Sequence, residues 1–296
     1  MKILLAIDGS RYALAATRFV CEYLAHPARQ VDIVHVLPLA VRADAAAPRH
    51  QPEDVRIPPA SRSWFDRTEK RLQARAFRVT KRVRRGLPTQ VVPALAAKGR
   101  YDLVVVGAKG RSDVPFLPMG SVALAVLEQH APAHVLLVRE RELLKEKQIP
   151  TQVRPFTVLF ATDGSPRVEQ AAQSFFRMFS VPDLQPVALA VAESPEPAAL
   201  ASMDSADRRQ LLRQFDDAAR RWAKDAKPLL ARPGIRPQVR MLRGRPAAAI
   251  VEEAKRSAAS LIVLGSRGVK SPAGFPLGSV ALQVARHAPC SVLIVR

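Results

Sequence analysis

At 296 residues the chain is long enough for two domains of ordinary size, each with an aliphatic core because aromatic residues make up only 5%. The formal net charge of +20 is shared, with 25 Lys and Arg against 14 Asp and Glu in residues 1–150 and 21 against 12 in residues 151–296, so it is a field that attracts polyanions (nucleotides, nucleic acid, anionic membrane) and not a basic tail. No apolar run reaches the roughly 18 residues that span a membrane, the apolar start MKILLAIDGS is too short for a signal peptide and runs straight into a motif, and Cys21 and Cys290 show no metal or redox spacing and read as core thiols of a reducing cytosol.

The first predicted element is the short apolar strand ILLAI, ending in Asp8-Gly9-Ser10. A helix follows, with Ser10 as its N-cap and Ser165 in the same place in the second copy. The run VDIVHVL (31–37) is a second strand, the Ala/Pro/Arg-rich stretch 38–60 a loop, and a long basic helix lies around 62–76. Period-two alternation of Phe77, Val79, Lys81 and Val83 predicts a third strand. A helix after Gly86-Leu87-Pro88 contains Pro93, which is harmless in the first turn and elsewhere shortens or kinks the helix. Then come the strand LVVV (103–106), the loop GAKGRSDVPFLPMGS (107–121), the helical run VALAVLEQ and a closing strand in HAPAHVLLVR (130–139).

The chain then starts again. LFATDGS (159–165) repeats LLAIDGS (4–10), GRP (244–246) repeats GLP (86–88), and HAPCSVLIVR (287–296) repeats 130–139. Gly244 and Gly265 are 21 residues apart, as are Gly86 and Gly107. Between the repeats lie a strand PVALAV, a second long basic helix around 206–231, a strand bearing Val239 and Met241, and the run LIVL. A period near 155 residues marks two copies of a whole domain rather than a solenoid. The predicted division is a domain at 1–139, a charged and then proline-bearing linker at 140–154, and a domain at 155–296. Strands alternating with helices argue for a parallel sheet with helices on both faces. The runs LVVV, LIVL, VLLV and VLIV lack polar alternation, as strands buried on both faces do.

Both loops reduce to G-x2-G-x9-G-S, with Gly107, Gly110, Gly120 and Ser121 in one copy and Gly265, Gly268, Gly278 and Ser279 in the other. In open parallel sheets ligands sit beyond the carboxyl ends of the strands, near the switch in strand order. Asp8 and Asp163 end strand one there, and Gly107 and Gly265 end strand four. Glycine at these places predicts positive φ and close approach of the backbone to a ligand. The Gly-Ser pair opens a helix, whose free N–H groups and dipole suit phosphate. The two aspartates would accept from a ribose hydroxyl or help orient a metal carried by the phosphates; a helix cap is the structural alternative. Val36 and Val191, near the end of strand two, read as core on sequence grounds alone.

Other groups are less specific. No Walker pattern G-x4-G-K-[ST] is present, which argues against a P-loop ATPase. His35, His130 and His287 are candidate bases by residue type only, and the last two sit at helix C-termini, where a cation complements the dipole. Trp64 and Trp222 read as core residues or as part of a domain or dimer surface. The cluster Arg67, Lys70, Arg71, Arg75, Arg78, Lys81, Arg82, Arg84 and Arg85, with Arg208, Arg209, Arg213, Arg220, Arg221, Lys224 and Lys227 in copy two, either neutralises nucleic-acid phosphates or forms a solvated helix face. Few aromatics interleave, so stacking on single-stranded bases is not expected.

The strand-Asp-Gly-Ser and G-x2-G-x9-G-S signatures, with the ending HAPCSVLIVR, resemble the ATP-binding branch of the universal stress protein family, once per half in a tandem arrangement. The resemblance implies an α/β fold of two tandem doubly wound domains, each a five-stranded parallel sheet in order 3-2-1-4-5 flanked by helices. It implies ATP (or ADP or AMP), with Mg held through the phosphates, between the first strand's end and the glycine loop. Carried over residue by residue, Ala6, Ile7 and Asp8 lie near adenine and ribose and Val36 beside the base. Gly107 and Gly110 line ribose and phosphates, and Gly120, Ser121 and Val122 hold the phosphate chain. The second set is Ala161, Thr162, Asp163, Val191, Gly265, Gly268, Gly278, Ser279 and Val280. The family also implies pairing of such domains, here within the chain or between chains of a homodimer.

This sequence departs from the family at Pro115, Pro118, Pro272 and Pro276, which stiffen the loops, and at Ile7 and Thr162, where valine is frequent; unequal affinity of the two sites follows. The expected function is that of a cytoplasmic adenine-nucleotide-binding stress or regulatory protein, not an enzyme, with nucleotide as a conformational ligand and an unidentified regulatory partner. The alternatives are a slow ATPase or autophosphorylating protein, and a basic nucleic-acid-associated stress protein.

Overall fold

Hydrophobic runs of five residues build the middle of each sheet, and helices joined to them by tight turns cover its faces. The computed structural model describes residues 1–26, 29–38, 57–111, 117–129, 132–139, 155–193, 195, 200–269 and 276–296. Two compact units emerge, the first from residues 1–149 with 178–180 and 296, and the second from residues 150–177 and 181–295. The predicted linker 140–154 and most of the predicted loop 38–60 lie outside the described residues.

Unit 1 runs β1 (Lys2–Ala6), α1 (Arg11–Tyr23), β2 (Gln30–Leu37), α2 (Pro59–Gln73), β3 (Arg78–Arg85), α3 (Pro88–Lys98), β4 (Leu103–Gly107), α4 (Ser121–Glu128) and β5 (His134–Val138). Its strands pair in parallel in the order β3-β2-β1-β4-β5, with Leu4 opposite both Asp32 and Val104. Unit 2 repeats the plan with β6 (Phe156–Thr162), α5 (Arg167–Met178), β7 (Leu184–Glu193), α6 (Ser205–Leu230), β8 (Gln238–Gly244), α7 (Pro246–Arg256), β9 (Leu261–Gly265), α8 (Ser279–His287) and β10 (Ser291–Val295). Its order is β8-β7-β6-β9-β10, with Leu159 opposite Val187 and Ile262. The doubly wound plan and the 3-2-1-4-5 order are therefore present in both units.

The continuous runs of β4 and β9 are buried on both faces, as their lack of alternation requires. β3 and β8 close one end of each order, and their sequences RVTKRVRR and QVRMLRG place charge on a strand with one unpaired side. Charge there discourages pairing with another chain. Pro93 is the sixth residue of α3, beyond the first turn. It does not shorten the helix, since α3 and α7 both have 11 residues; it only removes the N–H that would bond to Thr89. Both cysteines are buried free thiols, and burial pushes Cys21 up to about 11.

Unit 1 buries one carboxylate in its sheet. Asp32 is fully buried and accepts from Tyr101 Oη (2.7 Å), Arg82 Nε (2.9 Å) and Gln30 Nε2 (2.9 Å). Burial alone would raise its pKa, but these donors and the Arg82 charge hold it below the ordinary carboxylate value. Val187 takes this place in unit 2, so the network belongs to one copy.

Candidate functional site

β1 is hydrogen-bonded to β2 on one side and to β4 on the other, so the chain reverses its direction of travel across the sheet between β1 and β4. The residues after β1 therefore meet the glycine loop after β4, as the strand order demands. Asp8 Oδ1 accepts the Ser10 N–H (3.0 Å) and Oδ2 accepts the Arg111 N–H (2.9 Å). In unit 2, Asp163 Oδ1 accepts the Ser165 N–H (3.1 Å) and Oδ2 the Val269 N–H (2.7 Å). Each carboxylate thus spends one oxygen on its own turn and the other on the glycine loop. The same side chain therefore ties its own turn to the glycine loop, and the cap of α1 is left to Ser10.

The positive φ expected of the motif glycines is absent. None of Gly107, Gly110, Gly120, Gly265, Gly268 or Gly278 has positive φ. At Gly107, Gly110 and Gly268 a side chain would meet other protein atoms closer than 3.0 Å, and at Gly120 and Gly265 the neighbours are tight. A Cβ at Gly107 would lie 2.7 Å from Tyr12 Cβ, and one at Gly265 3.2 Å from Arg167 Cβ. At Gly110 it would lie 2.8 Å from Asp8 Oδ2, and at Gly268 it would collide with Asp163 Oδ2. At Gly120 it would sit 3.3 Å from Lys109 Cα and 3.6 Å from the Gly110 nitrogen. Positive φ occurs instead at Gly9 (81°) and Gly164 (80°), in the turns after the aspartates. Trp64 and Trp222 lie over those turns: a Cβ on Gly9 would be 3.0 Å from the Trp64 ring, and one on Gly164 would run into Trp222 Nε1. Each tryptophan is half-buried and acts as a wall of its turn.

The loops close onto helix starts. The Gly120 N–H donates to Ala108 O (2.8 Å) and the Gly278 N–H to Ser266 O (2.7 Å). Gly120 and Gly278 are the N-caps of α4 and α8 and bring no side-chain cap, so side chains leave the first-turn N–H groups to other acceptors. Ser121, Ser279 and Val280 are exposed there, and Val122 is half-buried. Pro118 and Pro276 precede these caps; Pro115 and Pro272 lie outside the described residues.

Val36 and Val191 are both buried, as expected. Ile7 is buried and Ala6, Ala161 and Thr162 are half-buried. The Thr162 hydroxyl accepts the Gly164 N–H (3.2 Å), so its extra polarity is taken up by its own turn. Ser10 caps α1 through the Ala13 N–H (3.2 Å). Ser165 does not cap α5 in this way. Pro166 intervenes, the helix begins at Arg167, and the Ser165 carbonyl accepts the Val168 N–H at 3.4 Å.

His35 packs beneath the turn after β1. It is buried, its Nδ1 lies 3.0 Å from Ile7 O, and its ring meets Trp64 edge-on at 4.8 Å. Burial holds its pKa below the ordinary value, so the neutral ring donates to the carbonyl that precedes Asp8. Ala190 is its counterpart. His287 is the exposed last residue of α8, and His130 lies outside the described residues. The basic cluster is divided: Lys81 pairs with Glu69 (2.6 Å) and Arg82 with Asp32; outside the cluster, Arg243 of β8 pairs with Asp216 of α6. Among the described residues no group of three or more His, Cys, Asp or Glu could hold a metal ion, and no helix is long and apolar enough to cross a membrane.

The universal stress protein family matches residues 1–139 and again residues 156–296. The chain belongs to the universal stress protein family. As a tandem member it is similar over most of its length to a universal stress protein of Mycobacterium tuberculosis, at 27% identity over 99% of this chain and 96% of that one. A universal stress protein of Thermus aquaticus is 38% identical over 87 residues, which are 28% of this chain and 64% of the relative, under two thirds of its length. A solved universal stress protein from Archaeoglobus fulgidus superposes with a TM-score of 0.56 at 18% identity, covering 100% of this chain and 96% of that chain, and shares the fold.

Proposed function

We propose that each unit of this universal stress protein binds an adenine nucleotide across the carboxyl ends of its first and fourth strands. Nucleotide acts in this reading as a ligand that sets the state of a cytoplasmic stress-response protein, not as a substrate. The observation that supports it is the contiguity of three parts. In unit 1, Asp8 Oδ2 is bonded to the glycine loop, Gly110 lies against that oxygen, and Gly120, which opens α4 without a side-chain cap, packs on Lys109 and Gly110. Exposed Ser121 adds a hydroxyl to the first-turn N–H groups. That donor set fits the phosphates of a nucleotide, and the aspartate oxygens retain acceptor capacity for a ribose hydroxyl. Unit 2 repeats the arrangement with Asp163, Gly268, Gly278 and Ser279. ATP, ADP and AMP all satisfy this chemistry, and Mg would enter through the phosphates rather than through a protein cluster.

The test is calorimetric titration of the full chain with ATP, ADP and AMP, alongside mass spectrometry of nucleotide released on denaturation. Gly120→Leu and Gly278→Leu should each abolish about one of two equivalents, because a side chain on either glycine blocks the helix start. Unchanged affinity and stoichiometry in the double variant would sink the assignment. Phosphate release above that of a protein-free control would convert the ligand into a slow substrate.

A further inference from the structure

The two copies differ at the residue that covers the first glycine of the loop. In unit 1 that residue is Tyr12: a Cβ on Gly107 would lie 2.7 Å from Tyr12 Cβ and 2.9 Å from Lys109 O. The Tyr12 hydroxyl accepts from Arg11 Nη2 at 3.3 Å, and the Arg11 guanidinium stands 5.1 Å from the ring centroid while its side chain also lines a cleft between α1 and α2. Matching Asp8 with Asp163 places Pro166 and Arg167 at these two positions in unit 2. A Cβ on Gly265 would lie 3.2 Å from Arg167 Cβ and 3.3 Å from Arg167 Cδ. The aliphatic stem of Arg167 therefore runs along Gly265 and carries its guanidinium past the start of the glycine loop. Ser266, the next residue, accepts the Gly278 N–H at 2.7 Å through its carbonyl, so the same short stretch of loop holds the start of α8.

The contacts of α5 do not explain a cation at this place. Arg167 is the half-buried first residue of that helix, and the unpaired N–H groups of a helix start disfavour positive charge. Glu169, the acid of that turn, accepts from Gln173 Nε2 at 3.1 Å. Asp163 spends its two oxygens on the Ser165 and Val269 N–H groups. Among the described residues no hydrogen bond or ion pair engages the Arg167 guanidinium. A phosphate chain laid across the loop and the start of α8 would supply the missing acceptor.

We propose that Arg167 reads the phosphate charge of the nucleotide in unit 2, so that this site prefers a triphosphate over a monophosphate more strongly than the site of unit 1, where Tyr12 brings no charge. The inference rests on the nucleotide reading of both sites given above. A guanidinium gains with each added phosphate charge and offers forked donors to phosphate oxygens, whereas a tyrosine offers a single hydroxyl. The test is calorimetric titration of a full-length Gly120→Leu chain, which keeps the site of unit 2, with ATP and with AMP. Arg167→Tyr should lower the ATP-to-AMP affinity ratio by about tenfold, the worth of roughly one charge-assisted hydrogen bond. Arg167→Lys keeps the charge and should retain most of the ratio. Arg240→Gln, which removes an exposed cation from β8, should leave it unchanged. In a Gly278→Leu chain, which keeps the site of unit 1, Tyr12→Arg should raise the ratio by a similar factor. An unchanged ratio in Arg167→Tyr, with nucleotide still bound, would overturn the role of Arg167 and leave the site standing. An equal fall in Arg240→Gln would reduce the effect to the overall field and overturn it too. Failure of the unaltered chain to bind either nucleotide would instead remove the site itself, and the role of Arg167 with it.

Discussion

Gly268→Ala should destabilise unit 2, and its cost should disappear when Asp163 is already alanine. Gly268 is not at positive φ, so the alanine backbone is permitted there. The loss of freedom in the unfolded chain would by itself stabilise by about 0.4–1 kcal/mol. The added Cβ, however, collides with Asp163 Oδ2, the oxygen that holds the Val269 N–H at 2.7 Å. A hydrogen bond to a charged group contributes about 1.5–3 kcal/mol, and the exposure of Val269 puts this one at the lower end. The balance is a net loss of about 1 kcal/mol in the native background. In an Asp163→Ala background nothing remains to collide with, and Gly268→Ala should be neutral or stabilising by about 0.4–1 kcal/mol. The coupling between the two positions is then about 1.5–2 kcal/mol.

Urea unfolding measures this cycle if unit 2 is watched alone. Trp222, which lies against Gly164 beside Asp163, serves as the probe in a Trp64→Phe chain. Gly110→Ala, whose Cβ would stand 2.8 Å from Asp8 Oδ2, should follow the same pattern more mildly in unit 1. A Gly268→Ala penalty of equal size with and without Asp163 would refute the reasoning. The glycine would then be required by something other than the carboxylate.

Three further outcomes follow from the same contacts. Asp32→Ala leaves the half-buried Arg82 without its carboxylate and should cost unit 1 about 3–5 kcal/mol in urea unfolding while unit 2 is unaffected. Asp32 has a folded pKa below its unfolded value of 3.8, so its contribution is full above that value and is lost as pH falls through the folded pKa; Asp32→Asn should flatten the acid limb of a unit 1 stability profile. His35 also has a depressed folded pKa, so stability is full above its unfolded value of 6.5 and falls as pH drops below it; His35→Gln should remove that slope from melting curves recorded below pH 6.5. Gly164→Ala should destabilise more than Gly9→Ala in thermal melts, since both have positive φ but the Gly164 Cβ would stand nearer its tryptophan.

The fold was legible because two copies of one plan confirm each other: unalternating runs such as LVVV and LIVL identify strands buried on both faces, and Asp-Gly-Ser and Gly-Ser mark the turns between them. The meeting of Asp8 with the loop after Gly107 was legible as well, since the strand order requires it. The physical role of each residue was less visible. A glycine that lets a backbone approach a ligand and one that lets an aspartate approach a backbone have the same letter, and Gly110 and Gly268 are of the second kind. Ser10 and Ser165 likewise share a motif, but Pro166 moves the start of α5 and only Ser10 caps.

Charge was the least legible feature, because a run of basic letters does not record which way each side chain turns. Residues 66–71 contain two acids and three cations among six positions. The helix sorts them, sending Asp66 and Glu69 to Lys81 and placing Arg67 and Arg71 in the wall of the α1–α2 cleft. Arg82, twelve residues beyond Lys70, turns inward to Asp32 instead. Four members of the basic run thus differ in setting: Lys81 forms an edge-strand ion pair, Arg82 partners a buried acid, and Arg67 and Arg71 stand in a cavity wall. Each makes a different claim on its guanidinium or ammonium group. A protein that used the whole run on a phosphate backbone would have to give up the first two, at the cost of leaving Asp32 buried without its arginine.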